Sequence, residues 1–281
     1  MPYRLLRRLG FVAASAVALS AAALSAGAAL SACGSDATTG IRVTLKTRMV
    51  ADDGVTAPFT NAHGWSIQLK KVAVSVGALY YFDGAPIFST GLLPVRPRDV
   101  VGDFLIPRAH AHPGHYQAGN AKGQMLSAAS VDLALGAADL PAGEGTSGIF
   151  RSGRFVYGEK PVGAAAAALG DHVVVLEGEA RKDTMVRSFH AAGALADVLD
   201  SYGEPKLDGC AFDEDELDVE ASGTITVHIK PSVWLDQSEF EGVPESADGT
   251  PVELTPDQEA FKGFVRGLKK GSAVVFSYSA N

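Results

Sequence analysis

WSIQLKKVAVSVGALYYF, residues 65–82, alternates apolar and polar side chains and then changes phase. Trp65, Ile67 and Leu69 hold odd positions, whereas Val72, Val74 and Val76 hold even ones. Successive side chains of a strand point to opposite faces, and a slip of one residue sends a whole set to the other side. A phase change across Lys70-Lys71 therefore predicts a β-bulge or a tight turn at that point, inside or between strands that share one core.

Strand-like stretches recur on either side. Ile41, Val43 and Leu45 alternate with polar residues, and similar runs lie at 125–135, 149–157, 172–176, 184–189 and 224–229, most of them separated by Gly, Pro or Asp. Helical spacing is strong once. Thr255-Pro256-Asp257-Gln258 reads as a capping box with proline in the first turn, followed by Phe261, Phe264, Val265 and Leu268. Shorter helices fit 195–202 and 231–240, while GAAAAALG at 163–170 fits a helical turn or a loop. The expected fold is mainly β, an antiparallel β-sandwich or open barrel over residues 41–281, with one C-terminal helix followed by a final strand at 273–278.

The N-terminal end points to export. Arg4, Arg7 and Arg8 precede a run of small and apolar residues, 11–32, with no charged side chain, the layout of a secretory signal. The run is mostly Ala, Ser and Gly, which insert into a bilayer weakly, so a signal peptide over 1–32 is favoured over a spanning helix. Leu30-Ser31-Ala32-Cys33 resembles a bacterial lipobox. That resemblance implies cleavage before Cys33, its acylation by palmitate-like chains, and a lipid-anchored lipoprotein of the periplasm-facing or surface side of the outer membrane, Gly34 rather than Asp following the cysteine. Residues 33–40 would be the lipidated cysteine and a polar tether.

Removal of 1–32 leaves 249 residues with 21 basic and 32 acidic side chains, a formal charge of −11. Such a surface repels phosphate backbones, which argues against nucleic acid as a partner. Cys210 is then the only cysteine besides Cys33, so no intrachain disulfide framework is expected. The familiar signatures of serine hydrolases, zinc proteases, phosphate-binding loops and EF-hands are absent, and the chain reads as a non-enzymatic protein, with a metal-dependent hydrolase as a minor alternative.

The segment most suited to chemistry is AHAHPGHYQAG, 109–119, with three of the seven histidines. On extended backbone His110 and His112 face the same side, roughly 7 Å apart. Pro113-Gly114 fits the centre of a type II turn, which brings His112 and His115 to within about 7 Å at Cα. Three converging neutral imidazoles suit zinc or copper, and His63 in NAHGW is the candidate for a further ligand. The competing reading is a polar turn that happens to use histidine.

The remaining histidines read as structural or as surface residues, His228 lying on the face opposite Ile225, Val227 and Ile229. Cys210 reads as a buried small hydrophobe, Met125 and Met185 as core, and the acidic stretch 213–218 as a solvated turn.

FTNAHGWSIQLKKVAVSVGALYYF, 59–82, resembles the MbnP-like copper-associated periplasmic β-sandwich proteins, in which an Asn-x-x-Gly stretch precedes an early strand pair. AFKGFVRGLKKGSAVVFSYS, 260–279, resembles uncharacterised myxobacterial lipoproteins. The resemblance implies a sandwich and metal handling. The expected function is a membrane-anchored envelope lipoprotein that binds zinc or copper through the His-rich turn; the alternative is an envelope interaction module with a protein partner and no metal role.

Overall fold

The structure, a computed structural model, describes residues 40–86, 116–246 and 248–281. The signal, Cys33, most of the tether, and His110, His112 and His115 lie outside the described residues.

In chain order the strands are β1 (Arg42–Ala51), β2 (Phe59–Thr60), β3 (Ser66–Phe82), β4 (Ala121–Met125), β5 (Ala129–Asp132), β6 (Ala138–Thr146), β7 (Gly148–Phe150) and β8 (Ser152–Tyr157). A helical turn α1 (Ala166–Leu169) precedes β9 (His172–Lys182), β10 (Met185–Ala194), β11 (Lys206–Ala211), β12 (Leu217–Val219) and β13 (Gly223–Ile229). Helix α2 (Pro231–Leu235), β14 (Val252–Glu253), α3 (Glu259–Leu268) and β15 (Val274–Ala280) complete the described chain.

Thirteen of these strands form one sheet in the order β14-β10-β9-β3-β4-β6-β1-β13-β15, with β2, β5 and the pair β8-β11 attached to β3; β7 and β12 pair separately. β3 makes this possible. Its first half, Ser66 to Val74, pairs with β9, and its second half, Leu79 to Phe82, lies between β4 and β8. The register shifts between Leu69 and Lys71, where the phase change in the sequence requires a bulge. Beyond the bulge the residues Val72 to Val76 are buried on both faces, because Ala73 packs with Leu169 of α1, Val175 and Ala192 while Val72, Val74 and Val76 enter the main core.

The ladders are antiparallel except for two, so the sheet is mixed rather than purely antiparallel: β1 runs parallel to β13 over Leu45–Ala51, and β10 parallel to β14. Neither pair is joined by a short hairpin, so no turn dictates its direction. Phe212 and Phe276 form a single parallel bridge, and Asp213 N donates to Phe276 O at 2.8 Å. One residue pair is not a ladder. The described strands do not close into a barrel and are consistent with a β-sandwich.

Helix α3 starts at Glu259, one turn later than the Thr255 cap predicts. Gln258 Oε1 accepts from Thr255 N at 2.9 Å, the return half of a capping box, but Thr255 Oγ1 donates to Asp257 instead of capping. Phe264 and Leu268 are fully buried beside Trp234 and Leu235 of α2 in the main core. Among the described residues no helix is long and apolar enough to cross a membrane.

Candidate functional site

The segment that carries His110, His112 and His115 leaves the described domain after Pro86 and rejoins it at Tyr116. Its two flanks are tied together at the end of β3. Gly84 N donates to Ala118 O at 2.9 Å and Asp83 N to Asn120 O at 3.2 Å. The Asp83 carboxylate accepts from Asn120 N at 2.7 Å and from Asn120 Nδ2 at 3.0 Å, with Lys122 Nζ at 3.8 Å. Burial pulls this carboxyl upward, but the Asn120 bonds and the Lys122 charge outweigh it and hold Asp83 below the usual carboxylate range.

Glycine is required on both flanks. At Gly119, with φ of 73°, a Cβ would fall 2.2 Å from Asp83 Oδ1, and at Gly84 it would fall 2.4 Å from the carbonyl oxygens of Gln117 and Ala118.

Tyr116, the residue after His115, is anchored as firmly. Ser152 Oγ donates to Gly84 O at 2.6 Å, so its lone pairs remain to accept the Tyr116 hydroxyl, also at 2.6 Å. The Tyr116 ring meets Phe82 edge-on at 6.5 Å, and burial raises its phenol above the ordinary value. On the same side of β3 and β8, Arg154 sits 5.6 Å from the Phe82 ring and 6.0 Å from the Tyr80 ring and is paired with Asp208. Asp208 also lines a groove of about 450 Å³ with Asp200, Lys206, Lys269 and Lys270, in which Lys206 is held by Asp200, Glu204 and Asp208.

His63 lies at the other end of β3, in the turn before it. Its Nδ1 is 3.3 Å from Glu239 Oε2, while Glu239 Oε1 accepts from Trp65 Nε1 at 2.6 Å. The turn is built by buried Asn61, whose Oδ1 accepts from His63 N and Trp65 N and whose Nδ2 donates to Leu235 O and Ser238 O. From Ser66 to Phe82 the strand path is roughly 50 Å, so His63 and Tyr116 are not local neighbours along β3.

Three other histidines occupy the sheet surface. His172 opens β9. His190 lies in a row across β3, β9, β10 and β14, with Glu177 Oε1 3.2 Å from its Nδ1, Glu253 Oε2 3.5 Å from its Nε2, and Lys71 bonded to Glu177. His228 is on the outer face of β13, between Asp52 and Ser277. Among the described residues no three or more His, Cys, Asp or Glu side chains are placed to hold a metal ion. Cys210 is buried, burial pushes its thiol up to about 12, and its Sγ lies 3.5 Å from Leu207 O. The acidic stretch 213–216 is exposed, and Glu216 pairs with Arg151.

Sequence reasoning missed the Asp83–Asn120 closure and the Asp52–His228–Ser277 contact. The outward parity of His228 was legible, but its adjacency to Asp52 and Ser277 needs the strand order.

No protein-family model matches the chain, and no curated protein matches it. Among solved structures, MbnP from Methylosinus trichosporium is similar at a TM-score of 0.40 and 12% identity, over 85% of this chain and 99% of that one. Neither value transfers a residue or a role to this chain.

Proposed function

We propose that the protein is an envelope lipoprotein, anchored through acylated Cys33, whose β domain presents His110, His112 and His115 as a site for zinc or copper. The observation that supports this reading is the closed neck: Asp83, Gly84, Ala118 and Asn120 join the two flanks, and Tyr116, next to His115, is pinned to Ser152 and Phe82. A fixed flank removes part of the ordering cost that a free His-rich tail carries when it closes around an ion. His63, whose Nδ1 faces Glu239 and whose Nε2 is then the coordinating nitrogen, a common arrangement at metal-ligating histidines, is the further ligand in this reading.

Metal analysis of the purified full chain tests this. About one zinc or copper ion per chain is expected, falling well below that in His112→Ala, and a drop in His63→Ala identifies the further ligand. A wild-type chain that is metal-free and takes up neither added ion overturns the reading.

A second reading, an envelope interaction module, draws on a groove of about 610 Å³ beside β5 and β6, where Leu135 is 88% and Val162 43% exposed. An envelope protein that co-purifies with wild type and not with Leu135→Asp supports it; equal recovery with both removes it.

A further inference from the structure

Asp52, His228 and Ser277 come from three neighbouring strands that the sheet order sets side by side. β1 and β13 are parallel with Val50 opposite His228, so Asp52, two residues further on, is the diagonal neighbour of His228 just past the strand end. Asp52 N donates to Ile229 O at 2.9 Å, which fixes it there. On the other side His228 stands opposite Val275, and Ser277 is its diagonal neighbour on β15.

The result is His228 Nδ1 at 2.6 Å from Asp52 Oδ1 and His228 Nε2 at 2.9 Å from Ser277 Oγ. An ionised carboxylate only accepts, so Nδ1 carries the ring proton. In the neutral ring Nε2 then holds the lone pair and accepts from the Ser277 hydroxyl. Hydroxyl, base and orienting carboxylate stand in the order that activates a serine for acyl transfer, an arrangement recognised by geometry and not by chain position.

The site is reachable: the His228 and Asp52 side chains are 29% and 32% exposed, and Ser277 is half-buried. Arg48 shares its row, opposite Thr226, which is opposite Ser277. Two strand spacings put Arg48 roughly 10 Å from Ser277 at Cα, within the reach of an extended guanidinium toward charge developing there.

We propose that Ser277 is a nucleophile for acyl esters presented to the open outer face of β1, β13 and β15, with His228 as general base and Asp52 as its positioning residue. Ser277 Oγ attacks the ester carbonyl carbon and its proton passes to His228 Nε2. The bond from that carbon to the leaving oxygen breaks, and the leaving alkoxide takes the proton. Water then repeats the sequence: its oxygen bonds to the acyl carbon, one proton goes to His228, and the Ser277 ester bond breaks with return of that proton to Oγ. No metal enters these steps, so the assignment is independent of the His110 turn.

A fluorophosphonate probe tests it on the full chain in detergent, since attack by Oγ on phosphorus with loss of fluoride leaves a stable adduct. One probe per native chain is expected, on Ser277 by peptide mass spectrometry, unchanged by a metal chelator and absent from the heat-denatured chain and from Ser277→Ala. Labelling in His228→Gln is expected to slow by about 100-fold or more. Asp52→Asn slows it too, and Asp52→Glu recovers part of the rate. Native wild-type chain without probe on Ser277, or labelled no faster than denatured chain, overturns the proposal without recourse to any variant; so does labelling that survives His228→Gln at an unchanged rate.

Discussion

Asp83 holds Asn120 twice, one carboxylate oxygen taking the backbone N–H at 2.7 Å and the other the side-chain Nδ2 at 3.0 Å. The pair closes the neck through which the chain leaves β3 and returns to β4. Because the carboxylate form makes both bonds, the folded state lowers the Asp83 pKa. A group depressed on folding stabilises fully above its unfolded value, near 3.9, and loses that contribution as pH falls through the lower folded value.

Asp83→Ala is expected to lower unfolding free energy by about 1–2 kcal/mol near neutral pH. The difference from wild type should shrink at acid pH, where the carboxylate is protonated in both states. Urea unfolding at several pH values checks this, and a gap that does not change with pH contradicts the role given to the charge.

Asn61 fills four hydrogen-bond roles in a buried position, accepting from His63 N and Trp65 N and donating to Leu235 O and Ser238 O. Asn61→Ala leaves those four backbone groups without this partner at the junction of the β3 turn and α2. A loss of about 3 kcal/mol or more is expected in chemical denaturation. Asn61→Asp is expected to be comparably damaging, because a carboxylate faces two carbonyl oxygens where an amide donated.

Gly263 and Gly267 let α3 approach the chain around α2 backbone to backbone. A methyl on Gly267 would lie 2.1 Å from Trp234 O, and one on Gly263 2.1 Å from Gln237 O. Helix propensity alone favours alanine by about 1 kcal/mol at each site. The clash reverses the sign: Gly267→Ala is expected to destabilise by about 2 kcal/mol or more, seen as a fall in Tm. A stabilised variant would show that the two segments are not so closely packed.

Glu177 sits between Lys71 and His190 on the outer face, its side chain 25% exposed. Burial raises its pKa, but the Lys71 and His190 hydrogen bonds and charges prevail and lower it, so its contribution is present above about pH 4.3 and lost below. Glu177→Gln is expected to cost under about 1 kcal/mol at neutral pH, given the exposure. It should also flatten the decline of stability between about pH 5 and pH 3. Equally steep acid limbs in both proteins would place the acid sensitivity elsewhere.

The β-rich class, the bulge at Lys70-Lys71, the closing helix and the outward parity of His228 were legible because each is a local pattern of side-chain period or capping chemistry. The Pro-Gly turn geometry of His110, His112 and His115 rests on the same kind of local reasoning. The start of α3 was misplaced by a turn because Thr255 Oγ1 has a competing acceptor in Asp257, which composition does not reveal.

The tertiary structure alone decided the parallel pairing of β1 with β13, the fit of Asn61 to carbonyls 174 and 177 residues away, and the meeting of Asp52, His228 and Ser277. Sequence period sets which face a side chain takes, since that follows from the backbone of one strand. It does not set which strands become neighbours, because that depends on how the whole chain buries its apolar faces at once.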